Sequence, residues 1–360
     1  MPTPFPKKTT VGAAVLCLAA LVFVLMPSRD HGVGTDAGPE KGSRAGSRPT
    51  SASRFPKVER DRAAGPVKRS FAETLALASD GGLDEQGLTA EQIKTFVDAR
   101  NRSVDSLLAA FRLGGGEAYL KEAEERFPDH PQVLITSLSQ VQDAEKRLAI
   151  LENLKRVAPD NSMGNCMAAR ALFQLGRKDE ALEELRKSVG KPLDDFTIAS
   201  AQNAEEAFLF SGMPPAQAKL MALYGGTKSL VLQLRDLSDH MAKLGEEFRA
   251  GGDEASAESV RGIQSGLGQQ LQGEGTLVDM LVGMVIEKKA LRDIDSDEAR
   301  ARLEEIEQLK QNVTGRMKQV TELMKDPSVA EGDWMLYFDR AKLFGETAAN
   351  DWMLEKYPQR

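Results

Sequence analysis

The sequence contains little of what metal sites and disulfide scaffolds are built from. Its 360 residues include two cysteines and three histidines. Cys17 lies in an N-terminal apolar run and Cys166 lies far along the chain, so the body cannot contain a disulfide bond. The histidines, His31, His130 and His240, have no second His or Cys at the spacing that a metal site requires. These absences exclude a disulfide scaffold, and we expect no bound metal.

Catalytic and nucleotide-binding motifs are missing as well. The sequence has no Gly-x-Ser-x-Gly elbow and no Walker-type phosphate loop, and the pair Gly273 and Gly275 lacks the third glycine of a dinucleotide site. Adjacent glutamates on a helix, such as Glu183 and Glu184, point about 100° apart and do not form a facing acid–base pair. We therefore expect no cofactor and no enzymatic activity. The alternative is an enzyme whose site is a cluster of buried, mutually bonded ionisable groups.

Strand patterns are absent, and helical patterns fill the chain from Phe71 onward. No sustained alternation of apolar and polar residues occurs, whereas apolar residues recur at steps of three and four, which is typical of amphipathic helices. Thr89 with Gln92 three places on has the form of a capping box, and the helix that it opens has a break near Asn101. The sequence therefore predicts an all-α body.

A membrane anchor is predicted at the N-terminus. A short flank, residues 1–10, contains Lys7 and Lys8 and precedes an uncharged apolar run within residues 11–27. A basic flank before such a run directs a chain to the export machinery, and no small-x-small cleavage signal follows it. We interpret residues 11–27 as an uncleaved transmembrane signal anchor. The body would then lie outside the cytoplasm, in a bacterial-type periplasm. The alternative is a cleaved signal and a secreted body.

Charge is divided unevenly along the chain. Residues 28–70 are rich in Gly, Ser, Pro and Arg and have almost no large apolar residues, which is typical of a disordered stalk. The first 70 residues hold 12 of the 47 basic and 5 of the 54 acidic residues, so the remaining 290 carry a net charge of −14. The basic stalk either contacts anionic lipid headgroups or, as we favour, is a soluble tether. The acidic body argues against nucleic acid as a partner.

Residues 163–192, MGNCMAARALFQLGRKDEALEELRKSVGKP, organise the body. They predict two antiparallel helices joined at Gly176, since apolar residues in both halves follow three-and-four spacing. A glycine after the first helix suits a left-handed C-cap. Ala169 and Ala181 would face each other and let the two helix backbones approach closely.

Looser copies of this hairpin flank it. Pro128, Pro159 and Pro192 close successive units at intervals of 31 and 33 residues, and recurrence at that interval is the mark of stacked helical hairpins. Residues 196–224 predict a fourth hairpin with its turn at Gly212. Each hairpin leaves an apolar face that a neighbour must cover, so the units are stable as an array.

The hairpin resembles a tetratricopeptide repeat (TPR). The small residues of that family match Ala169 and Ala181, its turn glycine matches Gly176, and its closing proline corresponds to Pro192, one place early. The family's large aromatic positions are occupied differently here, by Asn165, Leu172 and Leu185. The resemblance implies a right-handed solenoid of TPR-like hairpins over residues 71–226.

The resemblance also implies a binding surface. In the family, the first helix of each hairpin lines a concave groove that binds a peptide or another protein. The residues that would line it here are Gln132, Thr136, Gln140, Met167, Arg170, Gln174 and Asn203. Two alternatives stay open: the groove is free for a partner, or the C-terminal helices fill it and these residues only pack.

Residues 227–360 predict a C-terminal extension of longer amphipathic helices. The apolar stretch at 276–294 is too short for a membrane span, so we expect it to be buried. The heptad-like stripe at 299–324 is typical of either a coiled-coil dimer or, as we favour, a helix packed on its own domain. A last helix is predicted to open at Ser328 and to run through Trp352.

Together these features predict a non-enzymatic, membrane-tethered TPR-like protein that mediates protein–protein interaction or scaffolding in the cell envelope. Its partner would be a protein or peptide, and it would need no cofactor. Two alternatives remain: a structural protein that self-associates through the helix at 299–324, and an enzyme whose site the sequence does not reveal.

Overall fold

A computed structural model describes residues 70–79, 87–224, 230–273 and 276–358. These ranges contain sixteen α-helices, one π-helical turn and no β-strand. The all-α prediction is therefore confirmed for the described part of the chain. The predicted anchor at 11–27 and nearly all of the predicted stalk at 28–70 lie outside the described residues. Within the described ranges, none of the helices combines the length and the apolar character that a membrane crossing requires.

The helices follow one another with short connections. In chain order they are α1 (Phe71–Ser79), α2 (Ala90–Ala99), α3 (Val104–Ala110), the π-helical turn (Phe111–Gly115), α4 (Glu117–Arg126), α5 (Pro131–Leu138), α6 (Ala144–Val157), α7 (Ser162–Gln174), α8 (Lys178–Ser188), α9 (Thr197–Phe210), α10 (Pro215–Tyr224), α11 (Leu232–Ala250), α12 (Glu254–Gln272), α13 (Leu277–Leu291), α14 (Asp297–Leu323), α15 (Glu331–Phe344) and α16 (Glu346–Lys356).

Local side chains and glycines set several helix ends. The capping box before α2 is confirmed, because the Gln92 backbone N–H donates to Thr89 Oγ1 over 3.2 Å and the Thr89 N–H donates to the Gln92 side chain over 2.9 Å. Gly176 ends α7 with φ +75°. The Arg177 N–H then donates to the Leu172 carbonyl over 2.9 Å, which is the 6→1 bond of a Schellman motif.

Helices α3 to α8 pack in sequence order. Each of these helices contacts the next along the chain, so α5 with α6 and α7 with α8 form adjacent hairpins. Leu151 and Leu154 of α6 are fully buried against α7. Ala169 and Ala181, the small residues of the α7–α8 hairpin, are also fully buried. Small side chains at these positions allow two helix backbones to approach closely.

The fourth hairpin forms as predicted, with α9 and α10 joined at Gly212, but its position differs from a simple continuation of the row. Besides α10, helix α9 packs on α3 and α2, while α10 packs on α1 and α15. Leu75 of α1, Leu220 of α10 and Phe338 of α15 share one buried apolar cluster. The first described helix and the C-terminal helix α15 are therefore connected through α10.

The three helices after α10 form a closely packed unit. Helix α11 packs on α7, α12 and α13, and α12 lies along α13. Leu281, Val282 and Ile286 of α13 are buried, which confirms that the apolar stretch at 276–294 is part of the core. The stripe at 299–324 lies along α14, and its residues Ile306, Val313, Met317 and Val320 are buried against other parts of the same chain, as expected for a helix packed on its own domain.

The C-terminal prediction of one helix from Ser328 through Trp352 is wrong. The chain forms two helices, α15 and α16, and Gly345 between them has φ +86°. Helix α15 begins at Glu331 after Ala330, with no side-chain cap. The apolar spacing continues across the break, so the pattern alone does not reveal it. A left-handed residue at Gly345 turns α16 back onto α15 and α14.

Candidate protein-interaction site

The seven residues predicted to line a concave groove do not form one continuous surface. Two of them, Gln132 and Thr136, are buried on α5. Thr136 Oγ1 accepts a hydrogen bond over 2.8 Å from Arg112, whose guanidinium also donates to Ser200. Burial lowers the pKa of Arg112 to about 10. This part of the predicted groove is therefore packed between α5, the π-helical turn and α9.

The other five residues have four different surroundings. Met167 is fully buried in the core, and Arg170 forms an ion pair with α11. The Asn203 amide donates to Asp105 over 3.1 Å. Gln140, two residues after the end of α5, and Gln174, the last residue of α7, are exposed. The structure therefore does not bring these five residues together.

Helix α11 covers the exposed side of α7. The Arg170 guanidinium lies 2.8 Å from Asp236 Oδ2, and the Phe173 ring stacks on His240 with ring centroids 5.5 Å apart. Burial lowers the pKa of His240, which favours the neutral imidazole in this stack. Helix α11 therefore packs on the part of α7 that carries Arg170 and Phe173.

One cluster of paired charges comes nearest to the enzyme alternative, although only Glu205 in it is buried and its other members are half-buried. Glu205 of α9, Lys219 of α10, and Asp339 and Lys342 of α15 are mutually paired, with Lys219 Nζ 2.9 Å from Glu205 Oε1 and Lys342 Nζ 3.3 Å from Asp339 Oδ1. Burial acts to lower the pKa of Lys219, but hydrogen bonds to Asp339 and Glu205 outweigh it and raise the pKa.

The pKa of one carboxylate in this cluster, that of Asp339, shifts in the opposite direction. Burial acts to raise the pKa of Asp339, but the hydrogen bonds and charges of Lys219 and Lys342 lower it. Lys219 and Asp339 are thus held in their charged forms. A general acid or base works best with a pKa near the working pH, so these shifts suit ion pairs that join three helices.

A second buried carboxylate, Glu287 of α13, is fully enclosed. Arg302 donates two hydrogen bonds to it, both of 2.9 Å, and Gln269 and Gln272 donate bonds of 2.8 and 2.6 Å. Burial acts to raise the pKa of Glu287, but these four donors lower it overall. The carboxylate is saturated with donors from α12 and α14, so it links helices and has no free position for a substrate.

The described ranges also contain neither a candidate metal site nor a reactive thiol. No group of three or more His, Cys, Asp or Glu side chains there could hold a metal ion. The Cys166 thiol is fully buried, and burial raises its pKa to about 11. Because the thiolate is the reactive form, this cysteine is a poor nucleophile.

An open apolar depression lies between the end of α8 and helix α12. We name it the α8–α12 groove, and its cavity volume is about 580 Å³. Its walls are the loop at 188–192 and the outer face of α12, with these lining residues: Ser188, Val189, Gly190, Lys191, Pro192, Ser259, Gly262, Ile263, Gly266, Leu267 and Gln270. The Gln270 amide donates to the Lys191 carbonyl over 2.7 Å and fixes the two walls together.

Small residues keep this groove open. A Cβ atom built on Gly262 or Gly266 would meet no atom within 4 Å, so the packing of the chain does not require glycine at either position. Val189 at the rim is 62% exposed. The groove therefore has glycine positions without side chains in its floor and an exposed apolar residue at its rim. Such a surface fits the recognition mode in which a partner helix or extended segment lies in a groove. The sequence signal for this site was the repeated glycine of α12, which lies far from Val189 along the chain.

Comparisons with known proteins provide no family for this chain. No protein-family model matches it, and no curated protein is detectably similar to it in sequence. The function must therefore be argued from the geometry.

Proposed function

We propose that this chain is a non-enzymatic, membrane-tethered interaction protein of the cell envelope that binds a protein or peptide partner in the α8–α12 groove. The observation that carries the proposal is the groove itself, which is open, apolar and about 580 Å³ in volume. A volume of this size lies within the range of sites that enclose a ligand. Its length along α12 suits an apolar segment of a partner chain.

As part of this proposal, helices α3 to α8 form a TPR-like solenoid that serves as the framework of the protein. Its support is the sequential packing of these helices, the left-handed Gly176 and the buried pair Ala169 and Ala181. In a TPR protein the partner binds on the concave face. Here α11 lies on α7, so the binding site moves to the outer face of α12.

The tether and the location are part of the same proposal. The basic flank and the apolar run at 11–27 support a signal anchor, and the composition of 28–70 supports a stalk. The body would then be held outside the cytoplasm, in the periplasm, or released if the signal is cleaved. A non-enzymatic role is supported by the cluster of paired charges between α9, α10 and α15, because the pKa shifts of Lys219 and Asp339 keep these two groups ionised.

Filling the groove is expected to abolish partner binding. We expect the full chain in lipid nanodiscs to retain at least one envelope protein reproducibly, and the variant Gly266→Leu to lose it at least tenfold. A Cβ atom built on Gly266 meets nothing within 4 Å, so we expect the variant to fold and its leucine side chain to occupy the floor of the groove. The measurement is quantitative mass spectrometry of proteins captured from solubilised envelopes.

The matched control is Gly315→Leu on α14. Gly315 is also an exposed glycine within a helix, and a Cβ there would also meet nothing within 4 Å. This variant adds the same apolar surface away from the groove and should capture as the native chain does. Equal capture by all three proteins, or no reproducible capture by the native chain, would count against the groove as the binding site.

A further inference from the structure

Helix α15 has apolar side chains on two opposite faces, and only one of these faces is buried. Trp334 and Phe338 point into the core and are almost fully buried. Leu336, Leu343 and Phe344 are 52%, 71% and 65% exposed. At 100° per residue these three side chains fall within one arc of about 100°. We name this arc the outer face of α15.

An unpaired arginine lies within the same arc. Arg340 Cζ is 5.6 Å from the ring centroid of Phe344 and 5.4 Å from that of Trp352 on α16. Among the residues that the structure describes, no hydrogen bond or ion pair involves its guanidinium, and its Nε atom is buried without a partner. A guanidinium held between two aromatic rings therefore has hydrogen-bond donors free for an anionic group.

The acidic residues around the outer face do not compensate this arginine. Asp339 is paired with Lys219 and Lys342, as described above. On the other side, Asp351 is paired with Arg316, and Asp333 is paired with Lys356 at 2.5 Å. The body as a whole is acidic, but none of these three carboxylates forms an ion pair with Arg340.

The start of the described chain lies near α15, on the side opposite the outer face, because Leu75 of α1 shares one buried cluster with Trp334 and Phe338. Helix α1 packs on α10, and α10 packs on α15. With about 8–10 Å between packed helix axes, α1 lies roughly 20 Å from α15. The proposed stalk at 28–70 ends next to α1, and 43 residues of its composition span roughly 35–40 Å as a flexible coil. The outer face can therefore reach the bilayer to which the chain is anchored.

We propose that the outer face of α15 docks on the surface of the anchoring membrane. Leu336, Leu343 and Phe344 would enter the interface between headgroups and acyl chains, and Arg340 would bind a lipid phosphate. Apolar side chains beside an arginine and an aromatic ring are the composition of helices that lie in a membrane interface. The tether supplies a high local concentration, so weak docking is sufficient. This inference rests on the proposed tether.

The two tryptophans of the chain provide a direct test. Both lie in the C-terminal helices, and none lies in the proposed anchor. Trp334 is fully buried, whereas Trp352 is half-buried beside Arg340. We expect the full chain in vesicles of phosphatidylcholine and phosphatidylglycerol with brominated acyl chains to show at least a twofold fall in the emission of Trp352, relative to vesicles without bromine. The variant Trp352→Phe should remove this quenching and report only Trp334.

Matched variants separate docking from anchoring. The double variant Leu343→Ser and Phe344→Ser should reduce quenching at least threefold while it floats with the vesicles as before. Leu309→Ser, which removes an exposed leucine from α14, should leave quenching unchanged. Both variants change exposed side chains, so circular dichroism should show native helix content.

Other results would contradict either the proposed tether or the docking inference. If the full chain does not float with vesicles, the tether is wrong, and the docking inference fails with it. If the chain floats but Trp352 is not quenched, or if the double variant is quenched like the native chain, the docking inference alone is wrong. The third outcome is an apparent molecular mass, measured by light scattering, that increases with protein concentration in the native chain but not in the double variant. Without quenching of Trp352, this result would assign the face to a second copy of the chain.

Discussion

Replacing Gly268 by alanine is expected to lower the free energy of unfolding by at least about 3 kcal/mol, near the upper end of the usual cost of overpacking. A Cβ atom at this position would lie 2.6 Å from the Glu287 backbone nitrogen and 2.8 Å from the Gly283 carbonyl oxygen. Backbone atoms cannot rotate away, so α12 and α13 must separate. For a body of this size the melting temperature should fall by roughly 6–12 °C, as measured by circular dichroism.

The matched control is Gly266→Ala, two residues earlier on the same helix. Its Cβ would meet nothing within 4 Å, so the substitution removes only the entropic cost of glycine and should stabilise the chain by about 0.5–1 kcal/mol. The two changes are chemically identical and have opposite expected signs. A destabilisation of similar size in both variants would contradict the close approach of α12 and α13.

Replacing Arg302 by alanine is expected to cost about 2–4 kcal/mol. Glu287 would lose two of its four hydrogen bonds and its only cationic partner among the described residues, while it stays fully buried. Breaking a buried pair from one side typically costs about 3–5 kcal/mol. We expect a cost that extends below that range because the Arg302 side chain is 36% exposed. Denaturant unfolding of the two proteins measures the difference.

The effect of this substitution should depend on pH in a defined direction. The pKa of Glu287 is lowered in the native fold, so its stabilising contribution is present above the pKa of the unfolded chain and is lost as pH falls through the folded value. Without Arg302, burial raises the pKa of the carboxyl. The gap in stability between the two proteins should therefore shrink as pH falls from the raised pKa of the variant, which lies above the ordinary 4.5 of Glu, through the lowered pKa of the native protein.

Arg300→Ala is the control for loss of charge. Arg300 is an exposed neighbour that pairs with Asp295 and Asp297 at 3.1 Å. Exposed ion pairs contribute little to stability, so we expect a change within about 0.5 kcal/mol. If Arg302→Ala and Arg300→Ala have equal effects, Glu287 is not held by Arg302 in solution.

Local features of the fold were predictable from the sequence because each depends on neighbouring residues. The capping box of Thr89, the break near Asn101 and the turn at Gly176 all follow from backbone chemistry within a few positions. The hairpins between α5 and α8 follow from apolar spacing in the same way. Such signals predicted that the chain is helical and where most of its helices begin and end.

The missed features depend on residues that are distant in sequence or on one ambiguous residue. A single glycine is tolerated within a helix, and apolar spacing continues across Gly345, so the break there looked like an uninterrupted helix. The return of α9 to α3 brings Arg112 to Ser200 across 88 positions. A hairpin that continues a row and one that folds back have the same local pattern, because both present one apolar stripe.

The candidate site was missed for a related reason. The resemblance to TPR proteins directed attention to Gln132, Thr136 and Arg170, whose surface is covered by α9 and α11 in the structure. The α8–α12 groove depends on helix α12 having glycine on both sides. Gly268 is buried against α13, while Gly262 and Gly266 face open space. Sequence shows that three glycines are present, but only packing distinguishes the glycine that the fold needs from the two that shape the groove.

Site-specific photo-cross-linking in native membranes tests the central claim most directly. A benzoylphenylalanine side chain is introduced at Ser259 in the groove, and in a second protein at Gln319, an exposed position on α14. If the α8–α12 groove binds a partner, irradiation should produce one discrete cross-linked protein from position 259 and none from position 319. No adduct at position 259, or the same adducts at both positions, would contradict the claim that this groove is where the chain meets its partner.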